Sequence, residues 1–237
     1  MANTAVVYSR EIGGKTYTFE PSGGLLNASL VMQDKETDSY WSIINEEAIH
    51  GAAKGQRLEQ IPGSEKTTWG DWKRRYPHTK VLSVRHRGQR FEHDPREGYA
   101  TYFRSDETFR GIVAKDKRLD NKDLLFSFHH DGKPYAVPFK AFDDGGATFD
   151  LGGRQLLLYR RQDDSFYRST VAFLAPEGAT FKRRDDGWVL VEGDRVTARF
   201  DPETRTFDNP AAEVFHGFDT YWYIWSLTNP KTEILGR

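Results

Sequence analysis

Two Glu-x-x-His pairs have the residue types and spacing of metal ligands. They are Glu47/His50 and Glu213/His216, offset by 166 residues (47 to 213). On a helix, residues three apart face one way, and paired motifs of this kind hold di-metal centres in bundles. The flanking sequence does not read as a long helix, and no further carboxylates recur at matching spacing. A structural role is preferred for Glu47, His50, Glu213 and His216. They stand as metal candidates, with no cofactor expected.

A second concentration of chemistry lies between Asn27 and Trp41. Asn27, Ser29, Asp34, Glu36, Ser39 and Trp41 fall around one predicted strand–turn–strand. Asp34 and Glu36 could serve as acid and base, with Ser39 beside them, if their environments separate their pKa values. Asn27 and Trp41 would then contact a ligand. That reading requires both carboxylates to face a shared cleft. The competing reading is a hydrogen-bonded turn, in which Asp34 closes an Asx turn and Thr37 supports it. Asp201-Pro202-Glu203-Thr204 repeats the pattern 167 residues later (34 to 201), which favours the turn.

The remaining histidines give no chelating site by spacing alone. His86 and His93 lie in a polar region, and the adjacent His129 and His130 would point to opposite faces of a strand. Between Lys73 and Arg96 there are eight Lys or Arg against Glu92 and Asp94. Such a stretch could hold phosphate or an acidic polymer, but it reads first as a solvated face. Nucleic acid is not an expected partner. The hydrolase elbow, the zinc-protease His-Glu-x-x-His and the two glycine-rich phosphate-binding motifs do not occur.

The elements that must position these residues read as mainly β with a few short helices, a β-rich α+β chain. Aromatic and β-branched strands alternate with glycine turns. Gly13-Gly14 and Asp131-Gly132 mark hairpins. Pro21-Ser22-Gly23-Gly24 reads as a turn and Leu25 to Met32 as one buried strand. Glu46 to Gly55 is open between helix and loop. Thr67 to Pro77 reads as a capped helix: Thr68 caps, Asp71 follows three on, cations close it, and Pro77 stops it. Thr79 to Val84 should follow as a strand.

Trp69, Trp72, Pro77 and Thr79 recur as Trp222, Trp225, Pro230 and Thr232, each 153 residues on (69 to 222). This predicts two diverged repeats in a meander or barrel-like arrangement. Residues 1–84 form the first module, 85–123 a polar linker or surface excursion, and 124–237 a second, shortened module packed with the first. Paired tryptophans on one helix face belong first to a core. Trp69 and Trp72 are also candidates for an aromatic ligand platform.

Composition sets the outer limits. The chain has 237 residues, no cysteine and a formal net charge of −1. Disulfides, thiolate metal sites and cysteine nucleophiles are excluded. No apolar run reaches the roughly 20 residues of a membrane span. Met1 to Tyr8 lacks the pattern of a signal peptide, so the chain as given is expected to stay where it is made.

The stretch Gly24 to Ser42 resembles the signature of a bacterial family catalogued as domain of unknown function 3179. So do Glu47-Ala48-Ile49, Lys54 to Glu59, Thr67 to Pro77, Lys122-Asp123, Asp131 to Phe139 and Trp222 to Thr232. The resemblance implies a fold and carries no activity with it. Members usually bear an upstream β-rich segment ending in Cys-x-x-Cys, and many look exported. This chain begins where that motif would end, so it is expected to be shortened, and no role of those cysteines transfers. The expected function is a non-catalytic binding or interaction module for an unknown ligand. A hydrolase- or lyase-like enzyme using the Asn27 to Trp41 carboxylates is the alternative, and anion or nucleic-acid binding by residues 73–96 a weaker one.

Overall fold

The computed structural model describes residues 2–62, 64–81, 101–161 and 168–237. It is mainly β, with short helices. The described strands form a two-stranded hairpin and four four-stranded sheets, and none of these closes into a barrel.

The hairpin joins β1 (Glu11–Ile12) and β2 (Lys15–Thr16) through Gly13 and Gly14, both at positive φ. The sequence around Gly13-Gly14 suggests longer arms, Thr4 to Ile12 and Lys15 to Glu20, but only two residues pair on each side. The first sheet orders β3 (Phe19–Leu26), β4 (Ser29–Asp34), β5 (Tyr40–Ser42) and β6 (Glu47–His50) as a meander. Three expectations fail here. Glu47–His50, read within a helix or loop over Glu46 to Gly55, is a strand paired with β5. Pro21 to Gly24 is a bulge within β3, not a turn. The turn falls at Asn27-Ala28, both left-handed, and splits the expected Leu25 to Met32 strand. Asn tolerates that backbone; Ala rarely adopts it. Ala28 is buried in the core cluster that contains Trp222 and Trp225, which helps to hold it there.

The second sheet orders β17 (Phe218–Tyr221), β7 (Leu124–His130), β8 (Lys133–Pro138) and β18 (Glu233–Ile234). Asp131-Gly132 makes the predicted β7–β8 turn, with both residues at positive φ. The third orders β16 (Glu213–Phe215), β11 (Val171–Pro176), β10 (Arg154–Tyr159) and β9 (Gly146–Asp150). The fourth orders β12 (Ala179–Arg184), β13 (Gly187–Glu192), β14 (Arg195–Asp201) and β15 (Thr206–Phe207).

The sheets stack in layers because central strands are apolar on both faces. In β10, Leu156 and Leu158 enter one core with Phe126, Phe128 and Val137, while Leu157 and Tyr159 enter another with Phe181, Leu190 and Phe200. Beyond the second sheet lies the core around Trp222 and Trp225. It takes Ala28 and Ile44 from the N-terminal half and Ala114 and Leu119 from the polar stretch before β7. A separate cluster around Trp41 fills the first sheet's other side. Among the described residues no helix is long and apolar enough to cross a membrane.

Both Trp-x-x-Trp elements are seven-residue helices, Trp69–Arg75 and Trp222–Thr228. Their C-caps, Tyr76 and Asn229, share one backbone geometry (φ −127°, ψ 71° and φ −125°, ψ 72°). In each, the cap N–H bonds the second Trp carbonyl, and the following Thr N–H bonds the cap carbonyl. Thr68 Oγ1 caps the first helix as expected, accepting from the Asp71 N–H. Residues 79–81 form no strand, and the rest of the predicted Thr79 to Val84 strand lies outside the described residues.

Candidate functional site

Asp34 sits at the end of β4, wholly buried. It accepts from Thr37 N–H at 2.6 Å, from Thr37 Oγ1, and from Trp41 Nε1 at 2.7 Å. Burial alone would raise its pKa, but the Trp41 and Thr37 bonds and a backbone donor at Ser39 hold it below the usual carboxylate range. Glu36 accepts from Thr18 N–H at 2.8 Å, which likewise lowers its pKa. Each carboxylate therefore accepts a backbone N–H rather than pairing with the other. Ser39 Oγ accepts from Ala53 N–H. Asn27 Nδ2 donates to Thr228 Oγ1 at 3.1 Å, tying the turn to the second tryptophan helix. The Trp41 ring is fully enclosed by Tyr17 and Phe19.

The same turn is built again at Asp201. Thr204 Oγ1 donates to Asp201 and shares a hydrogen bond with Thr206, as Thr37 does with Asp34 and Ser39. The residue between is left-handed in both, Asp38 at φ 54° and Arg205 at φ 60°.

The Glu-x-x-His pairs do not meet. Glu47 lies on β6 with Arg57 3.5 Å away, and His50 is exposed against the Tyr40 ring. Glu213 pairs with Arg154 at a sheet edge, and His216 is exposed just beyond. Among the described residues no three His, Asp or Glu side chains gather as metal ligands. His129 and His130 do point to opposite faces. His129 bridges Glu46 at 3.2 Å and Asn229 at 3.0 Å beside Trp225, and His130 faces Phe215. His86, His93 and most of the basic stretch lie outside the described residues.

Trp69 is 49% exposed, whereas Trp222 and Trp225 are fully buried. Trp72 is half-buried, with its Nε1 donating to Thr79 Oγ1 and its ring 4.5 Å from that of Tyr76. Neither tryptophan of the first helix is among the described residues that line the two hollows beside it. The cavity lies beside this helix, where Arg75 turns inward.

Arg75 and Arg205 both reach Glu65, one to each carboxylate oxygen. The three side chains are 15%, 18% and 5% exposed. One carboxylate thus serves two buried guanidiniums, and this triad carries one net positive charge. Nearby, Asp71 is bridged by Arg74 and Arg168, and Glu203 by Arg74 and Arg161. Asp71 is held low chiefly by the Thr68 hydroxyl, Glu203 chiefly by Arg74. Lys66 is mostly buried, which lowers its pKa, and its Nζ donates to the carbonyl and side chain of Asn3.

The Arg75–Glu65–Arg205 triad forms the wall between two hollows. The first is nearly filled, with room of about 30 Å³ among the arginines. The second is a cavity of about 220 Å³ against Tyr76, Phe126, Phe173, Val214 and Phe215. Ile61, Tyr76 and Val214 on its rim are exposed apolar side chains. Sequence spacing gave no sign of this site, because its charged wall comes from residues 65, 75 and 205.

No curated protein and no solved structure matches the chain. A family model described as protein of unknown function (DUF3179) matches residues 1–232. With nearly the whole length matched, the chain belongs to the DUF3179 family.

Proposed function

We propose that this chain is a non-catalytic binding module whose ligand occupies the cleft between the Trp69–Arg75 helix, β11, β16 and the β14–β15 turn. The observation that carries this reading is the buried Arg75–Glu65–Arg205 triad opening onto an aromatic groove. Concave, mostly apolar cavities with a few fixed polar groups are the usual form of small-molecule sites. The neighbouring Asp71 and Glu203 favour binding over acid–base chemistry. Both are stabilised as carboxylates by guanidiniums and a hydroxyl, so they are poor proton donors at neutral pH.

Crystallographic soaking with a mixed library of charged and neutral fragments tests this. Fragments are expected in the cleft, touching Arg75 or Arg205. Fragments bound only elsewhere, with the cleft empty at saturating concentration, contradict it.

A further inference from the structure

We infer that the cleft takes a small organic monocarboxylate bearing one ring or a short alkyl chain. Its carboxylate would sit on the Arg75–Arg205 pair and its apolar body against Tyr76, Phe173, Val214 and Phe215. The inference rests on the cleft being a binding site and names what that site selects.

Charge sets the head group. Two guanidiniums share the single Glu65 carboxylate, so one negative charge balances the triad. Arg75 reaches Glu65 through one terminal nitrogen and lies against the Trp72 and Tyr76 rings at 5.8 and 5.5 Å. Arg205 divides its two terminal nitrogens between Glu65 and the Ser169 carbonyl. A guanidinium offers five N–H donors in a planar fork suited to carboxylates, so Arg75 retains donors for a second one. A phosphate monoester carries close to two charges at neutral pH and would overfill a seat with one net charge.

Volume sets the body. An apolar cavity of about 150 Å³ accommodates benzene, and this one measures about 220 Å³. It has room for a substituted ring or a branched short chain, and none for a polymer or a long acyl tail. The rings of Phe173 and Phe215, with Tyr76 at the mouth, offer faces and edges for an aromatic guest.

Titration calorimetry with four probes tests the proposal: phenylacetate, neutral phenylacetamide, acetate and phenyl phosphate. Phenylacetate is expected to bind at least about tenfold more tightly than each of the others, the scale of a charged hydrogen bond gained or lost. Arg205→Met should weaken it by about tenfold or more. Should that variant fail to fold, Val214→Asp sets a like charge at the exposed rim of the groove and should weaken phenylacetate while leaving phenylacetamide unchanged. Phenylacetamide or phenyl phosphate binding in the cleft as well as phenylacetate does would overturn the ligand class and leave the cleft as a binding site. If no probe produces heat or perturbs the cleft, the ligand class falls, and only other fragments in the cleft would keep the binding reading alive.

Discussion

Glu65 is placed where removing its charge should be felt most. It is nearly enclosed and is the carboxylate that both Arg75 and Arg205 reach. Breaking a buried ion pair from one side typically costs about 3–5 kcal/mol, because the remaining charge is left without a partner. Glu65→Gln is expected to lower unfolding free energy by about that amount, and added phenylacetate should restore part of it by filling the vacated role. Urea unfolding with and without the acid checks both. A variant as stable as the parent, or one that the acid leaves unmoved, contradicts this account of the triad. Asp34 and Asp219 show how donor number decides a buried carboxyl's state. Asp34 has several donors and is held low despite burial, whereas burial pushes Asp219 up although Thr170 N–H donates to it and Lys66 lies nearby. Since the folded pKa of Asp34 lies below its unfolded value of about 3.9, its contribution is fully present above that pH. It is lost as pH falls through the folded value. Asp34→Asn should therefore cost about 1–3 kcal/mol at pH 7, with the gap to the parent narrowing below about pH 4. A gap that stays constant between pH 7 and pH 3 would show that charge at Asp34 does not matter.

At the scale of elements, the two tryptophan helices share a backbone and differ in what covers them. Trp222 and Trp225 meet Ala28, Ile44, Ala114 and Leu119, while half of Trp69 faces solvent. Trp225→Ala should destabilise by about 3–5 kcal/mol, and Trp69→Ala by no more than about 0.5 kcal/mol. Thermal and urea unfolding of the pair check this, and similar losses would contradict it. The Trp69–Arg75 helix, its Thr68 cap and the Pro77 stop were readable from sequence because capping is local chemistry, whereas the second helix starts at Tyr221 without a side-chain cap. The Gly13-Gly14 and Asp131-Gly132 turns and the Asp-x-x-Thr turns were readable too. Which helix would be buried was not readable, since the covering residues come from elsewhere, partly from a stretch whose charge suggested a linker. The Asn27-Ala28 turn was missed for a different reason. Local propensity argues against left-handed alanine, and its burial in a core assembled from distant segments supports it.

For the whole molecule, sequence composition gave the β-rich class but not the stacking. β10 and β7 are apolar on alternate residues toward two different cores, and that pattern acquires meaning only once both neighbouring sheets are in place. Residues from both halves of the chain share the core around Trp222, so the layers should lose structure together. Tryptophans report from separate cores: Trp41 from one, Trp222 and Trp225 from another, Trp188 from a third. Fluorescence and far-ultraviolet circular dichroism are expected to give coincident unfolding curves. Fluorescence leading by a clear margin would mean that the layers unfold independently. The cleft belongs to this scale as well, since its walls are contributed by segments between residues 60 and 217 that meet only in the folded chain. The claim that it binds a small monocarboxylate is tested most directly by amide chemical-shift mapping during titration with phenylacetate. The predicted result is saturable shifts concentrated at Thr170 to Phe173, Arg205 to Thr206 and Val214 to Gly217. Shifts centred instead on the Asn27 to Trp41 turn would contradict it, as would the absence of saturable shifts anywhere in the cleft.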